Sequence, residues 1–290
     1  MDIASRIEEV LATVIAQGET GRYPPRLAAA IRHAVFPGGA RVRPRLCLAV
    51  AGACGAREHW VAAEAAAAAI ELFHCASLVH DDLPCFDNAF LRRGRPSVHA
   101  VYGEALALLA GDALIVLAFQ SLLQVGAGRA ELLPPLMQIL SSAAGMPAGI
   151  VAGQGWESEP NPSLAEYHRA KTGILFSAAT QSGAVAAGAD PAPWHALGAR
   201  LGEAYQVADD IRDVASQVLE LGKPGGRDQA LGRPSAARDL GLAGALRRFN
   251  YLMDAALASV PGCPGAEQLR GLILAESERL IPEAVARLAA

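Results

Sequence analysis

The chain has 290 residues, 52% hydrophobic, 19% charged and only 5% aromatic. That length supports one large domain or two small ones, and with no Ser/Pro/Gly linker or low-complexity break it reads as a single domain over residues 1–290. A formal net charge of −4 and a pI near 6.0 argue against nucleic-acid binding as a main role. Abundant alanine and a scarcity of alternating β-branched runs predict an all-α fold with closely packed helices. Cys47, Cys54, Cys75, Cys85 and Cys263 show no CxxC spacing, so reduced thiols in the cytoplasm are expected rather than a disulfide framework or a zinc site. The first residues are amphipathic, without a basic n-region or a small-residue cleavage site. The most apolar stretches, 62–73 and 105–119, are interrupted by Glu64, Glu71 and Asp112. They read as buried helices and fall short of the ~20 apolar residues of a membrane span.

In chain order, residues 3–17 keep a 3.6-residue apolar period and predict a first helix. Tyr23-Pro24-Pro25 breaks the chain before a second helix over 26–33. Then comes Phe36-Pro37-Gly38-Gly39-Ala40-Arg41-Val42-Arg43-Pro44. Two glycines allow a close turn and two arginines follow, which suits either a diphosphate-binding turn or a loop with solvated arginines. Helices are predicted over 45–54 and 60–80. The second delivers Asp81 and Asp82, with Asp87 at DDxxxxD spacing and then Arg92, Arg93, Gly94, Arg95 and Pro96. Adjacent carboxylates beside an apolar wall repel unless a cation sits between them. Oxygen donors without Cys or His favour a hard cation, Mg²⁺ above all, and the arginines can hold phosphate oxygens.

Beyond Pro96, helices are predicted over 104–125, 132–144 and 164–187, the last carrying Lys171-Thr172-Gly173. Gly153-Gln154-Gly155-Trp156-Glu157 lies between them. A helix introduced by residues 191–194 carries Gln206 and a second acid set, Asp209-Asp210-Ile211-Arg212-Asp213. Asp209 and Asp213 stand at i and i+4, on one helical face, with Asp210 beside them. Like charges at that spacing cost a helix a few tenths of a kcal/mol, so two such sets point to metal and diphosphate rather than to helix stability. The segment Leu221-Gly222-Lys223-Pro224-Gly225-Gly226-Arg227-Asp228 reads as a cationic loop, and helices over 240–259 and 266–288 finish the chain.

DDLPCFD followed by LRRGRP resembles the first aspartate-rich motif of the trans-polyprenyl diphosphate synthases, and DDIRD resembles the second. The resemblance runs from FPGGARVRP to GKPGGRD with the motifs in the family's order. It implies a helix bundle of the isoprenoid synthase type, antiparallel around a deep central cavity, commonly homodimeric. The implied activity is transfer of an allylic diphosphate's prenyl group to isopentenyl diphosphate with Mg²⁺. Asp81, Asp82 and Asp87 with Asp209, Asp210 and Asp213 are the implied metal ligands. Arg41, Arg43, His74, Arg92, Arg93 and Lys223 are the implied diphosphate-binding residues. Lys171, Thr172 and Gln206 would line the cavity near the reacting carbon. The family's GGKRxRP departs here at Ala40, which removes one expected cation. Ala76 lies five residues before Asp81, roughly 7 Å down the helix. Bacterial farnesyl-producing relatives carry an aromatic there, so the small Ala76 and Ser77, with Phe73 as floor one turn deeper, imply a twenty-carbon product, geranylgeranyl diphosphate. Carotenoid or chlorophyll side-chain supply would use such a product. The alternatives that stay open are a farnesyl diphosphate synthase and a non-catalytic partner subunit of a heteromeric synthase.

Overall fold

The computed structural model describes residues 3–36, 38–56, 60–160, 166–167, 169–219 and 236–281. The elements in order are α1 (Ile3–Gln17), α2 (Pro25–Val35), α3 (Val42–Ala53) and α4 (Trp60–Asp81), then a hairpin of β1 (Leu91–Arg92) and β2 (Arg95–Pro96). They continue with α5 (Val98–Tyr102), α6 (Glu104–Leu123), α7 (Leu133–Ala144), α8 (Ile150–Trp156), α9 (Ile174–Ala186), α10 (His195–Leu219), α11 (Ala236–Ala258) and α12 (Ala266–Leu280).

The centre of the bundle is α4. Its run of alanines lets neighbouring backbones approach closely, and it packs against α6, α3 and α9. Alanine loses no side-chain entropy in a helix, so this core helix is easily ordered. Phe73, Ile70 and Leu72 on α4 are fully buried, as are Leu114 and Leu122 on α6 and Phe176 on α9. Both α4 and α6 are long and apolar enough, by length and composition, to cross a membrane. The expectation that no stretch reaches that size is corrected here. The apolar window of α4 is mostly buried inside the bundle, where its apolar surface serves protein packing.

Besides α8, which the sequence reading takes as a Gly-Gln segment, and the start of α9 at Ile174 in place of 164, three local departures stand out. The tiny hairpin pairs Leu91 with Pro96 and Arg92 with Arg95; its turn residues Arg93 and Gly94 have φ of 54° and 75°, the double positive φ that two-residue hairpin turns favour. Lys171 and Thr172 lie in a π-helical turn, Arg169–Gly173, ahead of α9, not within a continuous α-helix. Gly241 (φ 68°, ψ 165°) kinks α11 near its start. The Lys223 loop and residues 282–288 of the last predicted helix lie outside the described residues.

Candidate active site

The last residue of α4 is Asp81, and the chain then folds back across the helix end. Asp87 N–H donates to Asp81 O at 2.9 Å and Ala89 N–H to Asp82 O at 2.9 Å. Carboxylates at a helix C-terminus face the negative end of its dipole, so this end gathers cations. Asp82 is buried and receives Arg92 in a forked pair, with Nε at 3.1 Å and Nη2 closer. Burial disfavours charge on Arg92, but Asp82 outweighs it and the guanidinium pKa is raised. Asp81 faces the cavity and meets Lys171 Nζ at 3.3 Å. Its pKa is raised, chiefly by burial, with Lys171 working the other way.

Lys171 also donates to Glu157 Oε1 at 2.5 Å, and Glu157 accepts from Tyr167 Oη at 2.7 Å and from Gln154 Nε2 at 2.6 Å. The GQ segment therefore acts by orienting Lys171. Gly153 is required there, because a Cβ would sit 2.6 Å from Lys171 N. A π turn widens the backbone locally and often marks a functional position; this one presents Lys171 and Thr172 side by side to the cavity.

The second acid set sits on α10. Asp210 is buried and accepts Gln206 Nε2 at 3.0 Å and Ala236 N–H at 2.7 Å. Gln206 Oε1 in turn accepts the Thr172 hydroxyl at 3.0 Å. Asp209 accepts Arg212 Nη2 at 2.6 Å. Asp209 and Asp210 line the same cavity as Asp81 and Asp87, so the two distant sequence motifs share one hollow. Asp82 and Asp213 are not among its lining residues: the first is turned inward to Arg92, the second is exposed on α10.

The Gly38-Gly39 turn has a packing reason. A Cβ on Gly38 would fall 2.0 Å from the Arg41 guanidinium carbon, and one on Gly39 would fall 2.6 Å from that of Arg93. Two guanidinium groups occupy the space that side chains would need. Arg41 is left-handed (φ 50°) and buried. It is held by Glu8 and Glu71, each at 2.7 Å, and by Val35 O at 2.8 Å, and it is not among the cavity-lining residues. Arg43 does reach the cavity, lying 4.7 Å over the Phe176 ring and 5.7 Å from the Tyr205 ring. Burial lowers its pKa, partly offset by Tyr205 and Glu71, and its Nε has no partner within the described residues. His74 also lines the cavity. Burial first, then Arg43, Arg93, Arg92 and Arg41, hold its pKa well below 6.5, so the ring is neutral at pH 7.

Beneath these groups the hollow continues as an apolar shaft in a cavity of about 1020 Å³. Ala76 and Ser77 form its α4 wall, and the Ser77 hydroxyl is spent on His74 O at 2.8 Å. Phe73 lies deeper, edge-to-face with Phe119 of α6 at 5.2 Å between ring centres. Phe119 is not a candidate in the sequence, and neither are Tyr205 and Tyr167; Tyr205 stands just before the second acid set on α10, and the other two come from segments without an acid motif.

Metal fit follows from the donor set. The described residues contain no preassembled group of three or more His, Cys, Asp or Glu ligands. The carboxylates reach one cavity from two separate parts of the chain, with oxygen donors alone. Mg²⁺ typically takes one or two carboxylates and completes its shell with water and substrate phosphate, so an open, all-oxygen set suits it and a closed zinc-type cage is absent among these residues.

A helical bundle whose cavity gathers acids from two distant motifs, with arginines and an apolar lining beside them, defines a synthase acting on isoprenoid diphosphates. The polyprenyl synthetase family model matches residues 24–245, and the chain belongs to that family. Over 286 residues, 99% of each chain, it is 50% identical to the geranylgeranyl diphosphate synthase of Cereibacter sphaeroides. It is 48% identical to the enzyme of the same name from Rhodobacter capsulatus, over 94% of each chain. Among solved structures, the geranyltransferase of Helicobacter pylori complexed with magnesium and isoprenyl diphosphate superposes with a TM-score of 0.77 at 30% identity, covering 95% of this chain and 97% of that one.

Proposed function

We propose that this chain is a magnesium-dependent trans-prenyltransferase that condenses isopentenyl diphosphate with allylic diphosphates and stops at geranylgeranyl diphosphate. The observation that carries the reading is one cavity with Asp81 and Asp87 on one wall, Asp209 and Asp210 on another, and a shaft running past Ala76 to Phe73 and Phe119. Asp81 and Asp87, with Asp209 and Asp210, would hold Mg²⁺ in that cavity, while Asp82 holds Arg92 in place. That ion supplies Lewis-acid charge to the diphosphate oxygens and so lowers the cost of the leaving group's departure.

The chain's own groups do the rest. Lys171 and Arg92 place positive charge where the departing diphosphate gathers negative charge. Arg43, Arg93 and His74 hold isopentenyl diphosphate, so that its double bond faces the carbon losing the diphosphate. Arg41, tied to Glu8 and Glu71, supports the Gly-Gly turn from behind. Thr172 donates its hydroxyl proton to Gln206, which leaves its oxygen lone pairs to face a developing carbocation. His74, neutral and with a lowered pKa, is a poor proton acceptor; the departed diphosphate takes the proton released when the new carbon–carbon bond forms. The apolar shaft keeps water from the cation. Five free cysteines suit a reducing cytoplasm.

The test is direct. Purified protein with isopentenyl and farnesyl diphosphates and Mg²⁺ should yield a twenty-carbon product on chromatography. Asp81→Ala should lose activity with an unchanged helical spectrum. Ala76→Phe, given geranyl diphosphate as the allylic primer, should stop the product at fifteen carbons. An unchanged product length in that variant would remove the shaft assignment, and full activity in Asp81→Ala would remove the metal assignment.

A further inference from the structure

Two cysteines 209 positions apart meet where α3 ends. Cys54 caps α3, and Cys263 lies in the turn between α11 and α12. Beside them the two backbones are joined where Gly265 N–H donates to Ala53 O at 2.9 Å. The approach is tight enough that a Cβ on Gly265 would stand 2.7 Å from Ala53 Cα. The two thiols lie close enough for Cys263 to act on the Cys54 sulfur. Both are half-buried, whereas Cys47 and Cys75 are buried. None of the four positions belongs to the prenyl-transfer cavity.

We propose that Cys54 and Cys263 form a reversible disulfide on exposure to a hydroperoxide, clamping the α11–α12 turn to the end of α3. Burial, then the neighbouring Cys263, pushes Cys54 up to about 12, so Cys263 is the attacking sulfur and Cys54 the resolving one. The Cys263 thiolate attacks one peroxide oxygen and the O–O bond breaks, leaving a sulfenic acid and hydroxide, which takes up a proton to become water. The Cys54 sulfur then displaces the sulfenic oxygen, which leaves as a second water with the Cys54 proton. Two thiols lose two electrons in all, and one hydrogen peroxide is reduced to two waters.

The clamp closes a loop that spans most of the chain, so it acts mainly by restricting the unfolded state. It also reinforces a seam already held by Arg45 to Glu276 at 2.6 Å, on the helix that carries Arg43. The inference is independent of the prenyl-transfer reading.

The experiment uses the full chain carrying Cys85→Ser, since Cys85 is exposed and would cross-link molecules. The protein is treated with hydrogen peroxide, alkylated with iodoacetamide, digested without reduction and mapped by mass spectrometry. Expected are a linked Cys54–Cys263 peptide and a melting temperature higher by a few degrees, both reversed by dithiothreitol and both absent from the Cys263→Ser variant. Alkylated thiols at both positions, sulfinic acid in place of the link, or a link from either cysteine to a different partner would overturn the proposal.

Discussion

His74 keeps one face on the cavity yet is enclosed by protein and by four arginines, which makes a charged ring costly. Its folded pKa lies well below 6.5. Unfolded, the ring takes a proton near 6.5; folded, it takes one only at lower pH. The unfolded chain therefore binds the extra proton first. The contribution of His74 is intact above pH 6.5 and is lost as pH falls toward the folded value, by at most about 1.4 kcal/mol per pH unit. Urea unfolding measured just above and one unit below pH 6.5 should show that slope, and His74→Gln should flatten it. Gly39 offers a second probe at this scale. A Cβ there would displace only the far end of Arg93, a flexible side chain, so Gly39→Ala should leave the melting temperature nearly unchanged. It should raise the KM for isopentenyl diphosphate about tenfold, the cost of one charge-assisted contact; an unchanged KM would take Arg93 out of the diphosphate site. The acid doublets are legible in the sequence because nothing else explains repelling carboxylates beside apolar runs. Which of Arg41 and Arg43 reaches the cavity is not, since that depends on a left-handed backbone at Arg41 and on Glu71, a buried carboxylate thirty positions away that meets it only in the fold.

Among the elements, α9 owes its position to missing side chains. Gly183 would put a Cβ 2.4 Å from Cys47 O on α3, Gly198 one 2.4 Å from Ser177 Cα, and Gly202 one 2.6 Å from Gly173 Cα. These are backbone atoms, which no rotamer change can move aside. The α9–α10 approach is what sets Thr172 against Gln206. Gly198→Ala should therefore destabilise the protein by about 1–3 kcal/mol, as overpacking does, measured by denaturant unfolding. Gly202→Ala, next to the π turn, should in addition lower kcat, because it pushes Gly173 and with it Thr172. Equal stability in Gly198→Ala would mean that the seam is looser than the structure has it. Most of the helices are legible from their apolar period and their Gly/Pro breaks, with ends within a few residues, but α8 is not, and α9 begins at Ile174 where the sequence reading starts it at 164. The π turn is not legible either, because it depends on Gly153 against Lys171.

For the whole molecule, the hollow itself is only half legible. Ala76 and Ser77 announce a narrow wall on α4, but other parts of the lining come from α6 and α8, where Phe119 and Ile150 look like any other core residue. On its outer side α6 raises a separate question. Leu109, Val116 and Leu123 are each about half exposed or more and stand seven residues apart, on one face of the helix. Leu108 widens the stripe, and Asp112 and Gln120 lie within it, exposed. Polar groups spaced along the face argue against lipid and in favour of a protein partner, which can pair with them. A second copy of the chain fits, since a stripe with its apolar residues near the middle and ends and polar ones between can meet itself antiparallel about a two-fold axis. A stable contact needs about 800 Å² from each partner, a small share of the 14001 Å² surface and within reach of one twenty-residue helix and its neighbours. Light scattering on the native protein should give twice the chain mass. Leu109→Glu with Val116→Asp should give the single-chain mass with the helical spectrum retained, because two carboxylates per chain would then be desolvated against their symmetry mates. A dimer that survives both substitutions would place the contact on another face.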